Sequence, residues 1–291
     1  MTDRAARWWA PVGLLGAALS LGTGHVCARF AFGQGVGIMT AATFRAVCAS
    51  AILLCLLRWR RVPLGVSPSA FRGILLLGLG VVAQTLLIQV AVKRLPVTLA
   101  ILVFYTYPFL TAIASAALGE QRLTRARAVS LAAAFCGLVL VLGVNPDRVD
   151  LPGLAAAGGA SLAFTGILVM TPRLAPGVAA PLRTFLMMST AATVFGASAL
   201  ASGVFSLPTD DPAWRGLAGL AIFYAAGVVM LFLLLPSVGA ASAAVMLNLE
   251  PVAVAGIAGI ALGEHLDQWQ WVGALVVVGA IVHDRLRAPG P

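Results

Sequence analysis

Apolar runs long enough to cross a lipid bilayer follow one another along almost the whole chain, with short breaks between them. About 20 such residues span the hydrocarbon as a helix. Lipid offers no water to backbone N–H and C=O groups, so each run must satisfy its own hydrogen bonds, and an α-helix does so. Cutting at charged or turn-rich breaks predicts ten spans, at 9–31, 38–57, 72–92, 97–117, 126–144, 152–172, 183–203, 214–236, 240–261 and 269–285. The breaks FGQGVG (32–37) and PSVGA (236–240) contain no charge and are the least marked. Only 10% of residues are charged, against about 25% in soluble domains. The fold class is therefore an all-α integral membrane protein of ten transmembrane helices.

The net charge of +9 is spread over the breaks between spans, which argues for lipid headgroups as its partner and against nucleic acid. With the N-terminus inside, the inner segments hold Arg4, Arg7, Arg58, Arg60, Arg61, Arg72, Arg122, Arg125, Arg127, Arg173, Arg183, Arg285 and Arg287. The outer segments hold Lys93, Arg94, Arg148 and Arg215. This imbalance predicts cytoplasmic N- and C-termini in the inner (plasma) membrane. The opening MTDRAARWW reads as a basic, interfacial lead into an uncleaved first span. Cys27, Cys48, Cys55 and Cys136 all fall inside apolar runs and read as small buried side chains, with neither metal nor disulfide implied.

The chain also repeats itself. YTYPFLTAIASAALGE (105–120) and NLEPVAVAGIAGIALGE (248–264) share a proline, a stretch of small residues and a closing Leu-Gly-Glu. SLGTG (20–24) echoes SLAFTG (161–166). Two copies of a five-helix unit follow, at 1–145 and 146–291. Five is odd, so the second copy enters the membrane from the opposite side. The charges agree: Arg122, Arg125 and Arg127 follow the first Leu-Gly-Glu, whereas EHLDQ follows the second. Inverted repeats of this kind are characteristic of secondary transporters.

The run LNLEPVAVAGIAGIALGEHLDQWQWVGALVVVGAIV closely resembles the end of an EamA domain of the drug/metabolite transporter superfamily. FYTYPFLTAIASAALGEQRLTRARAVSLAAAFCGLVLVL resembles the same unit, and SLGTGHVCARFAF…FRAVCASAILL resembles the family's first two helices, with Arg29 and Arg45 at its usual basic positions. The resemblance implies ten helices, inverted repeats, a central cavity and export or exchange of small metabolites. The chain departs from the family at Leu21, where Trp is frequent, at Gly24-His25, where Asn-Phe is frequent, and at Tyr107, where Glu often precedes the proline.

Glu250 and Pro251 stand side by side in the middle of the ninth span. A carboxylate at the bilayer centre costs about 2.5–3.5 kcal/mol on insertion scales. It must face a polar cavity, find a partner or stay protonated. Pro251 leaves the carbonyl near Leu247 without its usual donor, so helix kinks are expected there and at Pro108. Transporters build substrate and ion sites from such interrupted helices. The repeat offset sets Glu250 against Tyr107 and Asn248 against Tyr105. Those four, with His25, Gln84 and Tyr224, are the expected substrate-binding or proton-coupling residues. His25 titrates near neutral pH. A structural reading stands beside each: a protonated Glu250 bonded across helices, tyrosines that only pack, and a His25 that bridges a helix pair. Gln84 and Gln89 lie five residues apart, about 140° around the helix, so only one of them faces a common cavity. Arg29 and Arg45 are expected to snorkel to the interface; of the two, Arg45 is the better placed to recognise a carboxylate or phosphate. The Gly259-x-x-x-Gly263 pattern, with Ala255 and Gly256, is expected to form a close helix contact, within a monomer or in a homodimer.

Three other classes fare worse. An intramembrane enzyme needs paired catalytic groups, and the sequence has no His-Glu-x-x-His, Gly-x-Ser-x-Gly or phosphate loop. A retinal-type photoreceptor needs a lysine in mid-span, and Lys93 lies at a span end. A nucleotide-driven pump needs a soluble ATPase domain. The expected function is a secondary transporter of a small molecule such as an amino acid, with protons as a candidate coupling ion and no catalytic residue, cofactor or metal. An intramembrane enzyme or a non-transporting scaffold is the alternative.

Overall fold

A computed structural model describes residues 3–143, 150–262 and 267–287. Arg148, Gly263 and Glu264, which the sequence analysis singled out, lie outside the described residues. The described chain is helical throughout, without strands: α1 (Asp3–Gly33), α2 (Ile38–Trp59), α3 (Pro68–Arg94), α4 (Val97–Phe104), α5 (Tyr107–Ala117), α6 (Arg125–Leu142), α7 (Leu151–Leu174), α8 (Ala180–Ala201), α9 (Asp211–Val238), α10 (Ala240–Leu247), α11 (Leu249–Leu262) and α12 (Gln268–Arg287). Nine stretches among the described residues are long and apolar enough to cross a membrane, taking α4–α5 and α10–α11 each as one span. The tenth, α12, is shorter in its apolar part because Gln268 and Gln270 open it and His283-Asp284-Arg285 close it.

Local chemistry sets several ends. Ser67, Thr124, Asp150 and Asp210 each accept a bond from the backbone N–H three residues on, capping α3, α6, α7 and α9. Prolines follow the caps of α3, α7 and α9 at the first turn, where a missing N–H costs nothing.

The two broken spans interrupt ahead of their prolines. The first breaks at Tyr105-Thr106 and the second at Asn248, two to three residues before Pro108 and Pro251. Pro108 and Pro251 thus begin new helical segments rather than bending a continuous one. The carbonyls exposed by the breaks are covered locally: the Thr106 hydroxyl donates to the Val103 carbonyl at 2.8 Å, and the Asn248 side-chain amide donates to the Val245 carbonyl at 3.2 Å. In an apolar medium such cover is required.

Helix contacts come in couples related by the repeat. α1 lies along α9 as α7 lies along α3; α11 flanks α1 as α5 flanks α7; α2 meets α8, and α6 meets α12. Exchanging each span for its counterpart five spans away leaves this pattern unchanged, the signature of a two-fold relation between the copies. Glycine makes the closest approaches. A Cβ on Gly137 of α6 would lie 2.8 Å from the Gly273 carbonyl oxygen of α12. A Cβ on Gly22 of α1 would lie 2.9 Å from the Ala253 Cβ and 3.1 Å from the Glu250 carbonyl oxygen of α11. Small residues allow this because lipid gives no hydrophobic drive between helices, leaving close contact to hold them. The expected seam at Gly256 differs: nothing lies within 4 Å of where its Cβ would be, so the α11 glycines are not a tight contact within the chain at that point.

One end of the bundle carries a buried polar network. Arg127 Nε of α6 meets Asp284 Oδ1 of α12 at 3.2 Å, and both side chains are almost wholly buried. Arg127 Nη2 also donates to the Ser242 hydroxyl of α10 at 3.0 Å. Gln121 donates to Ser242 and to the Val238 carbonyl and accepts from the Ala241 N–H, closing the α9–α10 turn. Ser130 bonds His283 Nδ1 at 2.8 Å. Beside this cluster, Arg173 reaches Glu120 at 2.9 Å and the Leu118 carbonyl at 2.8 Å. The Leu-Gly-Glu of the first copy therefore ties the loop after α5 to the end of α7.

Two stability predictions follow. Arg127→Met or Asp284→Leu alone, by stranding the remaining charge, should cost about 3–5 kcal/mol, while the double substitution recovers much of the loss; thermal unfolding in nanodiscs reads this directly. Gly22→Ala should destabilise by about 1–3 kcal/mol through overpacking. Gly158→Ala, with open space around its Cβ, should be neutral or better in the same assay.

Candidate functional site

The interrupted second span of this pair presents Glu250 in the first turn of α11, immediately after the break at Asn248. Glu250 Oε1 lies 2.8 Å from His25 Nε2 of α1, with the Glu250 side chain 15% exposed and His25 50% exposed. The sequence neighbours of His25 explain how it gets there. Gly22 lets α1 touch the α11 backbone at Glu250, and Gly24 lets it touch the α9 backbone, where a Cβ would lie 3.2 Å from the Tyr224 nitrogen. Ser20 adds a hydroxyl bond to the Phe223 carbonyl at 3.0 Å. The segment SLGTGH is thus a wedge between α9 and α11, and its histidine falls on the carboxylate.

A His–carboxyl pair at this distance can share one proton in two ways. Imidazolium donates to carboxylate, or carboxylic acid donates to neutral imidazole; both keep the bond. A second proton leaves an imidazolium facing a neutral acid that accepts only through its carbonyl oxygen, so the bond loses its charge assistance and weakens. The pair is therefore a chemical element whose bond strength depends on proton count.

Tyr105 and Tyr107 also lie near Glu250. Both are buried, both lie within electrostatic reach of its carboxyl, and the Tyr105 hydroxyl is the one directed at it. Their rings sit 5.5 Å apart. Phe164 of α7 meets Tyr107 edge-on at 4.8 Å, and Phe104 touches both tyrosines. Glu250 thus has both an imidazole and an aromatic cluster close to it. The repeat relation reappears in the backbone: the Tyr107 carbonyl accepts from Thr165 of α7 at 3.3 Å, and the equivalent Glu250 carbonyl lies under Gly22 of α1.

The structure brings His25, Tyr105, Tyr107 and Glu250 together, while the Asn248 side-chain amide bonds the Val245 carbonyl of its own turn. Tyr224 sits on the opposite flank of the α1 wedge. Gln84 is half-buried on α3 and makes no hydrogen bond to the pair among the described residues. Thr23 bonds back to the Leu19 carbonyl at 2.9 Å.

Arg45 departs from the expectation that it snorkels to the interface. Its guanidinium lies 4.4 Å above the Tyr224 ring and donates to the Thr85 hydroxyl at 3.0 Å. The side chain turns inward because α3 and α9 offer a hydroxyl and an aromatic face at its depth, a better environment than hydrocarbon. The sequence signal for Arg45 was present, a charge several residues into an apolar run. Thr85 carried none, since a single hydroxyl in a span bonds its own helix in most settings.

Comparison with known proteins completes the picture. A search of curated proteins finds no match. A solved crystal structure aligns over 96% of this chain and 98% of its own, with a TM-score of 0.77 and 22% sequence identity, a likeness of fold. The sequence matches the EamA-like transporter family twice, over residues 8–143 and again over 151–283. The chain belongs to the EamA-like transporter family, a family of multi-pass membrane transporters for small molecules.

Proposed function

We propose that this chain is a secondary transporter that exports or exchanges a small metabolite by alternating access, with amino acids the leading class. The observation that carries the reading is the His25–Glu250 pair at the interrupted span. A titratable pair placed beside a helix break is suited to trade a proton for a substrate, because one added proton changes which groups hold each other. The two halves, 1–145 and 146–291 in opposite orientation, would rock about this point. The tyrosine wall and the carboxyl suit a molecule with an apolar side chain and an amine. Both termini face the cytoplasm of the inner membrane, so the polar network around Arg127 and Asp284 closes the inner end. No group in this reading acts as a catalyst on a covalent bond.

Flux into proteoliposomes tests it. Amino acids, nucleosides, organic cations, sugars and phosphate esters are each offered with and without an imposed pH gradient. Saturable flux of one class, stimulated by the gradient, is expected. Glu250→Gln should cut gradient-driven flux to the level set by the substrate gradient alone. His25→Asn should shift the pH profile while leaving substrate selectivity in place. Unchanged gradient-driven flux in Glu250→Gln would return Glu250 to a purely structural role. Absence of saturable flux from folded protein across the panel would favour an intramembrane enzyme or a scaffold.

A further inference from the structure

Arg183 is the most costly side chain in the molecule left without an explanation. It lies in the first turns of α8, is 4% exposed, and its Nε and Nη2 are buried with no hydrogen-bond partner. The sequence analysis counted it among the charges of an inner loop; the structure instead carries it into the bundle. A desolvated guanidinium without a counter-charge persists only if something anionic meets it part of the time.

The repeat supplies its counterpart. α2 and α8 cross where the Ser189 hydroxyl meets that of Ser50 at 3.4 Å, and further along Thr43 contacts Gly196, so the two helices run antiparallel. Arg45 precedes Ser50 by five residues, and Arg183 precedes Ser189 by six. The two arginines therefore sit at nearly equal distances on opposite sides of the crossing. Their states differ. Arg45 is half-buried and rests on Thr85 and Tyr224, with no carboxylate partner among the described residues. Arg183 is 4% exposed, with Nε and Nη2 buried and without a hydrogen-bond partner. In a molecule built of inverted repeats, the conformation that opens one side exchanges the environments of equivalent residues.

We propose that Arg45 and Arg183 are a symmetry-related pair of oxyanion sites, each serving the access route on its own side, and that the cargo carries a carboxylate or phosphate. The proposal rests on the transporter reading for the word cargo, but not for the sites themselves. Arginine fits the role because its planar fork grips two oxygens at once. Arg183 is buried in the conformation described and would be uncovered when the inner end opens. With a carboxylate at an arginine and an amine near Glu250, the cargo is dipolar.

The test uses the full chain in phosphatidylcholine nanodiscs and reads the thermal midpoint against added benzoate, L-phenylalanine or inorganic phosphate, with benzylamine as control. A midpoint rise with an oxyanion that depends on the two arginines is expected, whereas any rise with benzylamine, which has no oxyanion, should be unchanged by substituting them. Arg45→Met and Arg183→Met should each raise the apparent dissociation constant at least about tenfold, as loss of a charged bidentate contact does. The double variant should lose the response. Without any anion, Arg183→Met should melt above the wild type, because an unpaired buried charge is gone; that gain shows that the variant folds. Arg183→Lys should recover only part of the response. An oxyanion response in Arg183→Met equal to wild type overturns the proposal, as does the absence of any response in the wild type. A rise seen only when phosphatidylglycerol is added to the disc assigns Arg183 to a lipid headgroup and also overturns it. Oxyanion binding without flux would leave the sites standing and remove the transporter reading; flux indifferent to both arginines would do the reverse.

Discussion

Everything in this structure depends on where backbone and side-chain polar groups find partners once water is absent. Continuous helices meet the demand for most of the chain. The two places where the helix stops are consequently the expensive ones, and each is held by several other elements. The break at Tyr105-Thr106 is covered by its own threonine and by Ser161, and the Tyr107 carbonyl by Thr165. The break at Asn248 is covered by its own amide, and α1 leans on it through Gly22. An interruption that needs this much support gathers helices around it, and so the candidate site and the centre of the packing coincide.

Charge follows the same logic with three outcomes. Arg127 and Asp284 meet each other, and Arg173 meets Glu120, so these pairs bind helices together at one end. His25 and Glu250 also meet, at 2.8 Å, but the strength of their bond depends on how many protons the pair holds. Arg45 and Arg183 cannot shed their charge. One has a ring and a hydroxyl; the other has no hydrogen-bond partner for its Nε and Nη2 among the described residues. The contrast between paired, conditional and unpaired charges separates what holds the bundle from what changes within it.

Much of the fold was legible from residues alone. The expected span 38–57 is Ile38–Trp59, and 97–117 is Val97–Ala117 with a break inside it. The proximity of Glu250 to Tyr105 and Tyr107 could be read from a repeat offset, because equivalent interrupted spans meet at a two-fold axis. His25 was legible as a polar residue in an apolar run, but not its partner. The interruption was expected about one turn ahead of Pro251, near Leu247, and falls at Asn248, since the missing N–H frees a carbonyl upstream and the chain yields there. Arg45 was assigned to the interface and instead turns inward, and the burial of Arg183 at the start of α8 was not foreseen, because hydropathy places a charge along the chain but not around the helix.

The sequence by itself determined the helical class, the ten spans and the duplication, because the bilayer forbids other secondary structure to apolar runs and because copied segments carry their own alignment. The tertiary structure decided which polar side chains meet. The distance between His25 and Glu250, the turn of Arg45 onto Tyr224 and the isolation of Arg183 depend on rotation and close approach of helices far apart in the chain. Those are fixed by glycine contacts such as Gly22 on α11, where an atom more or less on one residue moves a whole span.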